Sequence, residues 1–276
     1  MQTNKTVVIT GAAGVLCSTF AFDLAQKGMN VALLDLNVTA AQKVADEINK
    51  KGGKAIAVEA NVLEKESLEK AHEIVKQEFG TCDILINGAG GNNPKGTTSS
   101  EYFLKDDMQD ENLTSFFDLD PKGIEFVFNL NFLGTLLPTQ VFTKDFIENN
   151  KGNIINISSM NALKPLTKIP AYSGAKAAVS NFTQWLAVHF ANQNIRVNAI
   201  APGFFVTNQN KALLFDENGN PTARTHKILA HTPMARFGKP EELLGTLEWL
   251  VNEEASSFVT GIVVPVDGGF SAYSGV

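Results

Sequence analysis

Cysteine, histidine and arginine are scarce in this sequence, and long apolar runs are missing. Two cysteines in 276 residues are too few for a disulfide framework or a structural zinc site. The four histidines have no metal-ligand spacing with any partner, so we predict no metal. The formal net charge is −6, whereas nucleic-acid-binding proteins have an excess of basic residues, so we predict no nucleic-acid partner.

The chain also lacks the segments that direct a protein to a membrane or out of the cell. No apolar run approaches the ~20 residues that a membrane helix needs. Residues 1–5 lead straight into an apolar strand and do not resemble a signal peptide. We therefore expect a cytoplasmic protein without a membrane partner.

Hydrophobic residues make up 44% of the chain, which suits the core of one large α/β domain spanning residues 1–276. Short apolar segments alternate with segments of helical spacing, and this alternation predicts a doubly wound parallel sheet flanked by helices. The predicted strands are 6–10, 31–35, 55–58, 84–86, 154–159, 196–200 and 261–266. The predicted helices are 15–27, 39–50, 65–79, 126–147, 172–190 and 241–251. Two irregular segments interrupt the pattern, 92–123 and an insert at about 204–237.

The stretch from Tyr172 to Lys176 carries the strongest chemical signal. Residues four apart lie on one face of a helix, so a phenol and an ammonium stand side by side. A nearby ammonium is expected to lower the pKa of the phenol from about 10, which would let it exchange a proton near neutral pH. Ser159 ends the preceding apolar strand, where ligands of open α/β sheets bind. Taken alone, the pair is a weak signal, and the alternative is a solvated helix face.

A turn of small residues follows the first strand and opens the first helix. Gly11 and Gly14 bound this turn, and Asp35 ends the next strand about 24 residues later. Small residues let a backbone approach a pyrophosphate, and a helix N-terminus favours its charge. Asp35 could accept hydrogen bonds from both ribose hydroxyls of an adenosine and would repel a 2′-phosphate. The alternative for Asp35 is an ordinary turn residue at a strand end.

In combination, these motifs resemble the classical short-chain dehydrogenases/reductases over nearly the whole chain. The motifs stand in the family's order: Thr10-Gly11, Asp35, Asn61-Val62, Asn87-Gly88-Ala89-Gly90, Asn131, Ser159, Tyr172-x-x-x-Lys176, Pro202-Gly203 and Asp267-Gly268-Gly269. The resemblance implies a Rossmann-like fold with a substrate lobe in the insert, and NAD as the cofactor.

The resemblance also implies roles for individual residues. Tyr172 would be the general acid/base, and Lys176 would lower its pKa and bind the nicotinamide ribose. Ser159 would hydrogen-bond the reacting oxygen, and Asn131 would hold a water that relays protons from Lys176. The implied cofactor-binding residues are Gly11, Gly14, Val15, Leu16, Asp35, Leu36, Asn61, Val62, Asn87, Ala89, Gly90, Tyr172, Lys176, Pro202, Gly203, Val206 and Thr207.

One departure from the family pattern concerns the first turn. Val15 and Cys17 stand where the family has its second and third glycines. Valine disfavours a positive φ, so the path of the turn is open, and Gly14 could compensate. Cys17 could be a redox sensor near a phosphate or, more simply, a small packing residue.

Further runs, such as 89–95, 116–120, 202–207 and 270–276, are similar to a bacterial group within the family, the D-mannonate oxidoreductases of short-chain type. That likeness implies a sugar-acid substrate and interconversion of D-mannonate and D-fructuronate with NAD(H). The alternatives are another sugar acid or polyol, such as gluconate, and a protein that senses NADH without turnover. The candidate substrate residues are Asn92, Asn93, Lys95, Asn161 and Arg224.

A substrate carboxylate in an acidic protein needs a local cation, and arginine is the best partner for it. Of the three arginines, Arg196 and Arg236 fall in structural positions, whereas Arg224 lies in the insert. Lys95 and Lys168 are the rival cations, and a solvated Arg224 is the alternative.

Four apolar residues recur on one face of the helix that carries Tyr172, namely Val179, Phe182, Trp185 and Phe190. They could pack against the sheet or form a subunit interface, because family members are usually tetramers or dimers. A homotetramer or homodimer is therefore the expected assembly.

Overall fold

The computed structural model describes residues 4–207 and 211–275, and this part of the chain contains a seven-stranded sheet. Its strands are β1 (Thr6–Thr10), β2 (Asn30–Asp35), β3 (Lys54–Glu59), β4 (Ile84–Asn87), β5 (Gly152–Ile157), β6 (Ile195–Pro202) and β7 (Val263–Val266). All neighbouring strands are parallel, in the order β3-β2-β1-β4-β5-β6-β7. The predicted doubly wound sheet is confirmed. The strand order reverses between β1 and β4, so a binding crevice is expected at the carboxyl ends of these two strands.

Helices cover both faces of the sheet. They are α1 (Val15–Gln26), α2 (Val38–Lys50), α3 (Lys65–Phe79), α4 (Pro121–Phe128), α5 (Gly134–Glu148), α6 (Pro170–His189), α7 (Lys211–Leu214), α8 (Ala223–Ala230), α9 (Leu244–Val251) and α10 (Glu253–Ser256). Alternate residues of β1 face opposite layers, so Val7 and Ile9 pack with α1, α2 and α9, whereas Val8 packs with α3, α5 and α6. None of the described helices is both long and apolar enough to cross a membrane.

The predicted helix 126–147 is not continuous. A single π turn, Asn129–Leu133, separates α4 from α5 and brings Asn131 into the interior. Pro138 lies inside α5 and has no N–H to give to the carbonyl of Gly134. The Gly134 N–H in turn reaches back to the first carbonyl of the π turn. Such bulges occur often at functional sites, because they re-aim one side chain within a helix.

The two segments predicted to be irregular contain short local structures. The 92–123 connection begins with a 3₁₀ turn, Pro94–Gly96, that packs on α4 and α6. The 204–237 insert, which is described except for residues 208–210, contains α7 and α8. The eight residues of α8 bury only Thr225 and Ile228, too few for a periodic pattern to stand out in the sequence.

The apolar face of α6 divides between core and surface. Val179 is fully buried, whereas Trp185 is 55% exposed and stacks on Phe182 and His189. These three rings line an apolar groove of about 550 Å³ between α5 and α6. Val179 therefore belongs to the core, Phe182 and Phe190 pack partly against it, and Trp185 lies on the surface.

Candidate active site

Polar side chains of β5 and of the residue that follows it anchor α6 to the sheet. The Asn156 amide donates to Thr183 Oγ1 at 2.9 Å. The Ser158 hydroxyl lies 3.2 Å from the Lys176 carbonyl and 2.7 Å from Ser180 Oγ. All of these groups are buried or partly buried, so their hydrogen bonds are needed to offset lost hydration. The result is a fixed register between α6 and the carboxyl end of β5.

That register brings the Tyr172 phenol beside Ser159. Ser159 directly follows Ser158 and caps a 3₁₀ turn, where its Oγ accepts a hydrogen bond from the Asn161 N–H at 3.2 Å. Its hydroxyl also lies close enough to the phenol to lower the pKa of Tyr172 by hydrogen bonding. The two hydroxyls predicted to work together are therefore adjacent.

Lys176 is buried next to them, with 4% of its surface exposed. Its Nζ donates to the Ile157 carbonyl at 2.8 Å and lies 5.7 Å from the centroid of the Tyr172 ring. Gly90 provides the space for this ammonium, because a Cβ on Gly90 would come within 3.1 Å of Nζ. Burial lowers the pKa of Lys176 to about 8.

The prediction that Lys176 lowers the pKa of Tyr172 is wrong for this structure. Burial raises the pKa of Tyr172, and the hydrogen bonding of Ser159 offsets only part of that rise. Burial is the largest effect on this pKa, and the Lys176 ammonium donates to the Ile157 carbonyl, 5.7 Å from the centroid of the phenol ring. The phenol is therefore in its protonated form at neutral pH.

Asn131 ties the π turn to the loop after β4. Its Nδ2 donates to the Gly91 carbonyl at 2.7 Å and to the Val127 carbonyl at 2.8 Å, and its Oδ1 accepts from the Gly91 N–H at 3.3 Å. A Cβ on Gly90 would also lie 2.6 Å from Asn131 Oδ1. Asn131 therefore fixes the backbone that borders the Lys176 ammonium.

The glycine turn after β1 follows a definite path. Gly11 has φ +63°, and a Cβ there would lie 2.8 Å from Ala89 Cα, so no other residue fits. Val15 is the first residue of α1, with no positive φ, and Gly14 is the N-cap residue in an extended conformation. No side chain caps α1, so the N–H groups of its first turn, which includes Leu16, can serve an anion.

Cys17 is accommodated by a glycine on the neighbouring strand end. A Cβ on Gly88 would collide with Cys17 Sγ, so the missing side chain at 88 makes room for the thiol. Burial raises the pKa of Cys17 to about 12, which leaves it protonated and unreactive. The structure supports the packing interpretation of Cys17 over the redox one.

Asp35 closes the glycine turn from β2. Its Oδ2 accepts the Ala13 N–H and its Oδ1 the Asn37 N–H, both at 2.9 Å. Each carboxylate oxygen can accept a second hydrogen bond, so Asp35 is both a turn residue and an available acceptor. The next side chain, Leu36, is largely exposed.

The loop after β3 borders the same crevice. The Asn61 amide donates to Glu64 at 2.8 Å and its carbonyl accepts the Leu63 N–H at 3.0 Å, which shapes the loop. Val62 is buried under Gly134 at the start of α5. Asn61 is half-buried, so it is the member of this pair with surface left for a ligand.

Asn87 points into the sheet rather than into the crevice. Its Nδ2 donates to Thr139 Oγ1 at 3.0 Å and to Asn156 Oδ1 at 2.9 Å. The crevice past β4 is therefore bordered by backbone, at Ala89 and Gly90. The Ala89 N–H lies 3.3 Å from Thr10 Oγ1, which joins this loop to the glycine turn.

The end of β6 forms the far wall. Gly203 packs so closely on Asp267 that a Cβ would lie 2.5 Å from its Cα. Pro202 is buried, and Val206 and Thr207 are partly exposed where the insert begins. The Thr207 carbonyl accepts the Lys211 N–H at 2.9 Å, which joins Thr207 to the first residue of α7.

The candidate substrate residues of the 92–123 connection are occupied within that segment. The Asn92 amide donates to Thr97 Oγ1 at 3.1 Å, and Asn93 Oδ1 accepts the Lys95 N–H at 2.9 Å. Lys95 Nζ lies 3.5 Å from Asp120 Oδ2. These side chains shape the loop, and the charge of Lys95 already has a counter-charge.

The other two candidates have unused hydrogen-bonding capacity. Asn161 is 5% exposed, and its Oδ1 is buried without a partner among the described residues. Arg224 is partly exposed on α8 and makes no ion pair or hydrogen bond with the described residues. Arg196 instead donates to the Leu250 carbonyl, and Arg236 holds Glu242 through both nitrogens, so these two arginines are structural.

Sequence reasoning overlooked the residues that position the site. Asn156 and Ser158 alternate with isoleucines in the β5 region, a pattern that indicates polar groups directed to one side of a buried strand. Glu101 and Lys227 form an ion pair between the two irregular segments, and no sequence spacing indicates a contact across 126 residues.

Comparison with known proteins agrees with this geometry. The family described as short chain dehydrogenase matches residues 5–218. An oxidoreductase of Haemophilus influenzae, whose activity is uncharacterised, is 64% identical over 273 residues, which cover 99% of this chain and 95% of that protein. The uncharacterised oxidoreductase UxuB of Bacillus subtilis is 55% identical over 273 residues, which cover 99% of this chain and 97% of that protein.

A solved structure from Haemophilus influenzae superposes on this chain with a TM-score of 0.95. It is 64% identical, and the match covers 99% of this chain and 97% of that one. That protein is assigned provisionally as a D-mannonate oxidoreductase, and its structure contains bound NAD.

Proposed function

This chain belongs to the short chain dehydrogenase family and is an oxidoreductase, and from that premise we propose that it interconverts D-mannonate and D-fructuronate with NAD(H). The observation that carries the proposal is the meeting of Tyr172, Ser159 and Lys176 at the carboxyl end of β5, beside the glycine turn. The choice of substrate is supported by the likeness to the Haemophilus influenzae protein.

The residues around the crevice fit NAD. Gly11 lets the glycine turn pack against the backbone of Ala89, and the uncapped N-terminus of α1 offers a pyrophosphate its N–H donors. Asp35 has acceptor capacity for ribose hydroxyls, and its charge disfavours a 2′-phosphate. NAD(H), when bound, supplies the hydride exchange of the reaction.

The chain's own chemistry is proton transfer at the substrate oxygen. Tyr172 is protonated at neutral pH, so its phenol can donate a proton to the C5 oxygen of fructuronate as the carbonyl is reduced. The Ser159 hydroxyl stabilises the charge that develops on the same oxygen. In the oxidative direction Tyr172 must act as a base, so the rate of oxidation should increase with pH.

Lys176 and Asn131 support this transfer. The buried Lys176 ammonium donates to the Ile157 carbonyl beside the phenol, and we propose that it binds the nicotinamide ribose there. Asn131 holds the backbone at Gly91, and through Gly90 it shapes the space around that ammonium. We propose that protons reach Lys176 from solvent along this side of the site, with a water held at Asn131.

The direct test is a panel of hexonates and hexuronates with a readout of NADH absorbance. We expect D-fructuronate to be reduced with the highest kcat/KM and D-mannonate to be oxidised in the reverse direction. Faster turnover of gluconate or of a neutral polyol would contradict the substrate, and no turnover of any compound would favour an NADH sensor.

Replacing Tyr172 with Phe should lower turnover at least ~100-fold, because general acid catalysis by a positioned side chain contributes about that much. NADH binding, measured by fluorescence titration, should stay within about twofold, since the substitution removes only a hydroxyl group and leaves the glycine turn and Asp35 unchanged. Tyr102→Phe is the matched control, because that tyrosine is exposed. More than a tenth of wild-type turnover in Tyr172→Phe would contradict the assignment.

Replacing Asp35 with Ser should narrow the preference for NADH over NADPH by about tenfold or more, because the carboxylate's repulsion of a 2′-phosphate is lost. The measurement is the ratio of kcat/KM for the two cofactors. Asp46→Ser, at an exposed site on α2, should leave the ratio unchanged. An equal preference in the wild-type enzyme would show that Asp35 serves only the turn.

Replacing Arg224 with Met should raise the KM for fructuronate roughly tenfold to a hundredfold, the loss expected for a charged hydrogen bond. The KM for NADH should stay constant. Arg236→Met is the control, because that guanidinium already holds Glu242. An unchanged KM for fructuronate in Arg224→Met would transfer the role to Lys168 or Lys95.

We further propose a homo-oligomer, a homodimer or homotetramer, that buries the groove between α5 and α6. The exposed Trp185 and the partly exposed Phe182 make this face apolar, as in subunit interfaces. Sedimentation velocity should give a multiple of 29.8 kDa for the wild type and a shift toward monomer for Trp185→Lys. Ile74→Lys, on α3, is the control, and a monomeric wild type would refute the assembly.

A further inference from the structure

Three segments that are distant in the sequence meet in a cluster of four charged residues. Lys227 Nζ on α8 lies 2.5 Å from Glu101 Oε2 on the 92–123 connection. Arg224 stands one turn before Lys227, on the same face of α8. The Lys168 carbonyl accepts the N–H of Thr98, three residues before Glu101, at 2.8 Å. We call Glu101, Lys168, Arg224 and Lys227 the charge cluster.

The charge cluster lies on the substrate side of the sheet. Lys168 precedes Tyr172 by four residues and has φ +71°, an unfavourable conformation for lysine that its surroundings must hold in place. The connection that leads to Glu101 packs on the start of α6, where a Cβ on Gly96 would lie 3.4 Å from Ala171 Cβ. The cluster therefore adjoins the turn of α6 that presents the Tyr172 phenol.

The charges of three cations act on one carboxylate in this cluster. The hydrogen bond from Lys227, together with the charges of Lys227, Lys168 and Arg224, lowers the pKa of Glu101, so its carboxylate stays ionised. Among the described residues, Lys168 and Arg224 form no ion pair elsewhere. The cluster therefore carries two positive charges in excess, within a chain whose net charge is −6.

We propose that Lys168, Arg224 and Lys227 together form the anion subsite for the carboxylate of a sugar acid, and that Glu101 is its specificity-determining counter-charge. This inference rests on the proposed function and deepens it. An exposed ion pair adds little to stability, so we assign the Glu101–Lys227 contact to binding. The Glu101 carboxylate neutralises one of the three positive charges. The subsite then binds a small anion weakly enough for the anion to be released.

The direction in which the KM changes in each charge variant distinguishes this binding role from a structural brace, an ion pair that only holds the two segments together. Glu101→Gln removes the competing carboxylate, so the KM for the sugar acid should fall about threefold to tenfold at low ionic strength. Lys227→Met frees Glu101 to pair with Arg224 and Lys168, so the KM should rise by a similar factor. The double variant Glu101→Gln/Lys227→Met restores two excess charges and should return the KM to near the wild-type value.

Two further observations belong to the same experiment. Lys168→Asn keeps a residue that tolerates a positive φ while it removes a charge, so it should raise the KM for the sugar acid. The KM for NADH should not change in any of these variants, and the differences should shrink at 0.5 M salt. A structural brace predicts a different pattern. Glu101→Gln, Lys227→Met and the double variant would then all raise the KM and all lower the Tm. That pattern would overturn the proposal.

Turnover of fructuronate by the wild-type enzyme tests the substrate assignment separately from the anion subsite. If fructuronate is not turned over, the substrate assignment fails, and the same proteins are compared by calorimetry for D-gluconate binding to their NADH complexes. A Kd that is lowest for Glu101→Gln and highest for Lys227→Met supports the subsite. Equal Kd values, or no binding, overturn it. Neutral sorbitol is the control, and its binding should not follow the charge of the variants.

Discussion

The candidate site depends on a buried charge, the ammonium of Lys176. Removing an ammonium from water costs far more than one neutral hydrogen bond returns, so it persists only where the surroundings are arranged for it. The Ile157 carbonyl accepts a hydrogen bond from its Nζ at 2.8 Å, and Gly90, which has no side chain, leaves the space that the ammonium fills. Because these two groups come from different strand ends, the charge is accommodated only when the crevice is already assembled.

Buried hydrogen bonds from the strands to the helices explain why the site is rigid. Asn156 and Ser158 could have been apolar in a sheet buried on both faces, yet each contributes a hydrogen bond that fixes α6. Asn87 continues this series across β4 to α5. The position of α6 relative to the sheet is thus fixed by hydrogen bonds several residues away from Tyr172, as a well-positioned catalytic group requires.

The sequence was sufficient for the architecture and for the Tyr172 and Ser159 pair, because both follow from periodicity and from positions at strand ends. It was not sufficient for the π turn, since a proline inside a helical pattern does not say how the backbone adjusts before it. It also misjudged the pKa of Tyr172, because spacing on a helix does not reveal where the Lys176 ammonium points. The Glu101–Lys227 contact joins distant segments, and only coordinates reveal it.

The close packing of Cys17 against Gly88 also has a consequence for the chemical labelling of the protein. Cys17 and Cys82 are both buried, and burial raises the pKa of both thiols. Alkylating reagents act on thiolates, so they should spare the native chain and modify each cysteine only when the layer that buries it opens. The two cysteines are thus an intrinsic reporter of unfolding, and their labelling rate measures how often this part of the structure opens.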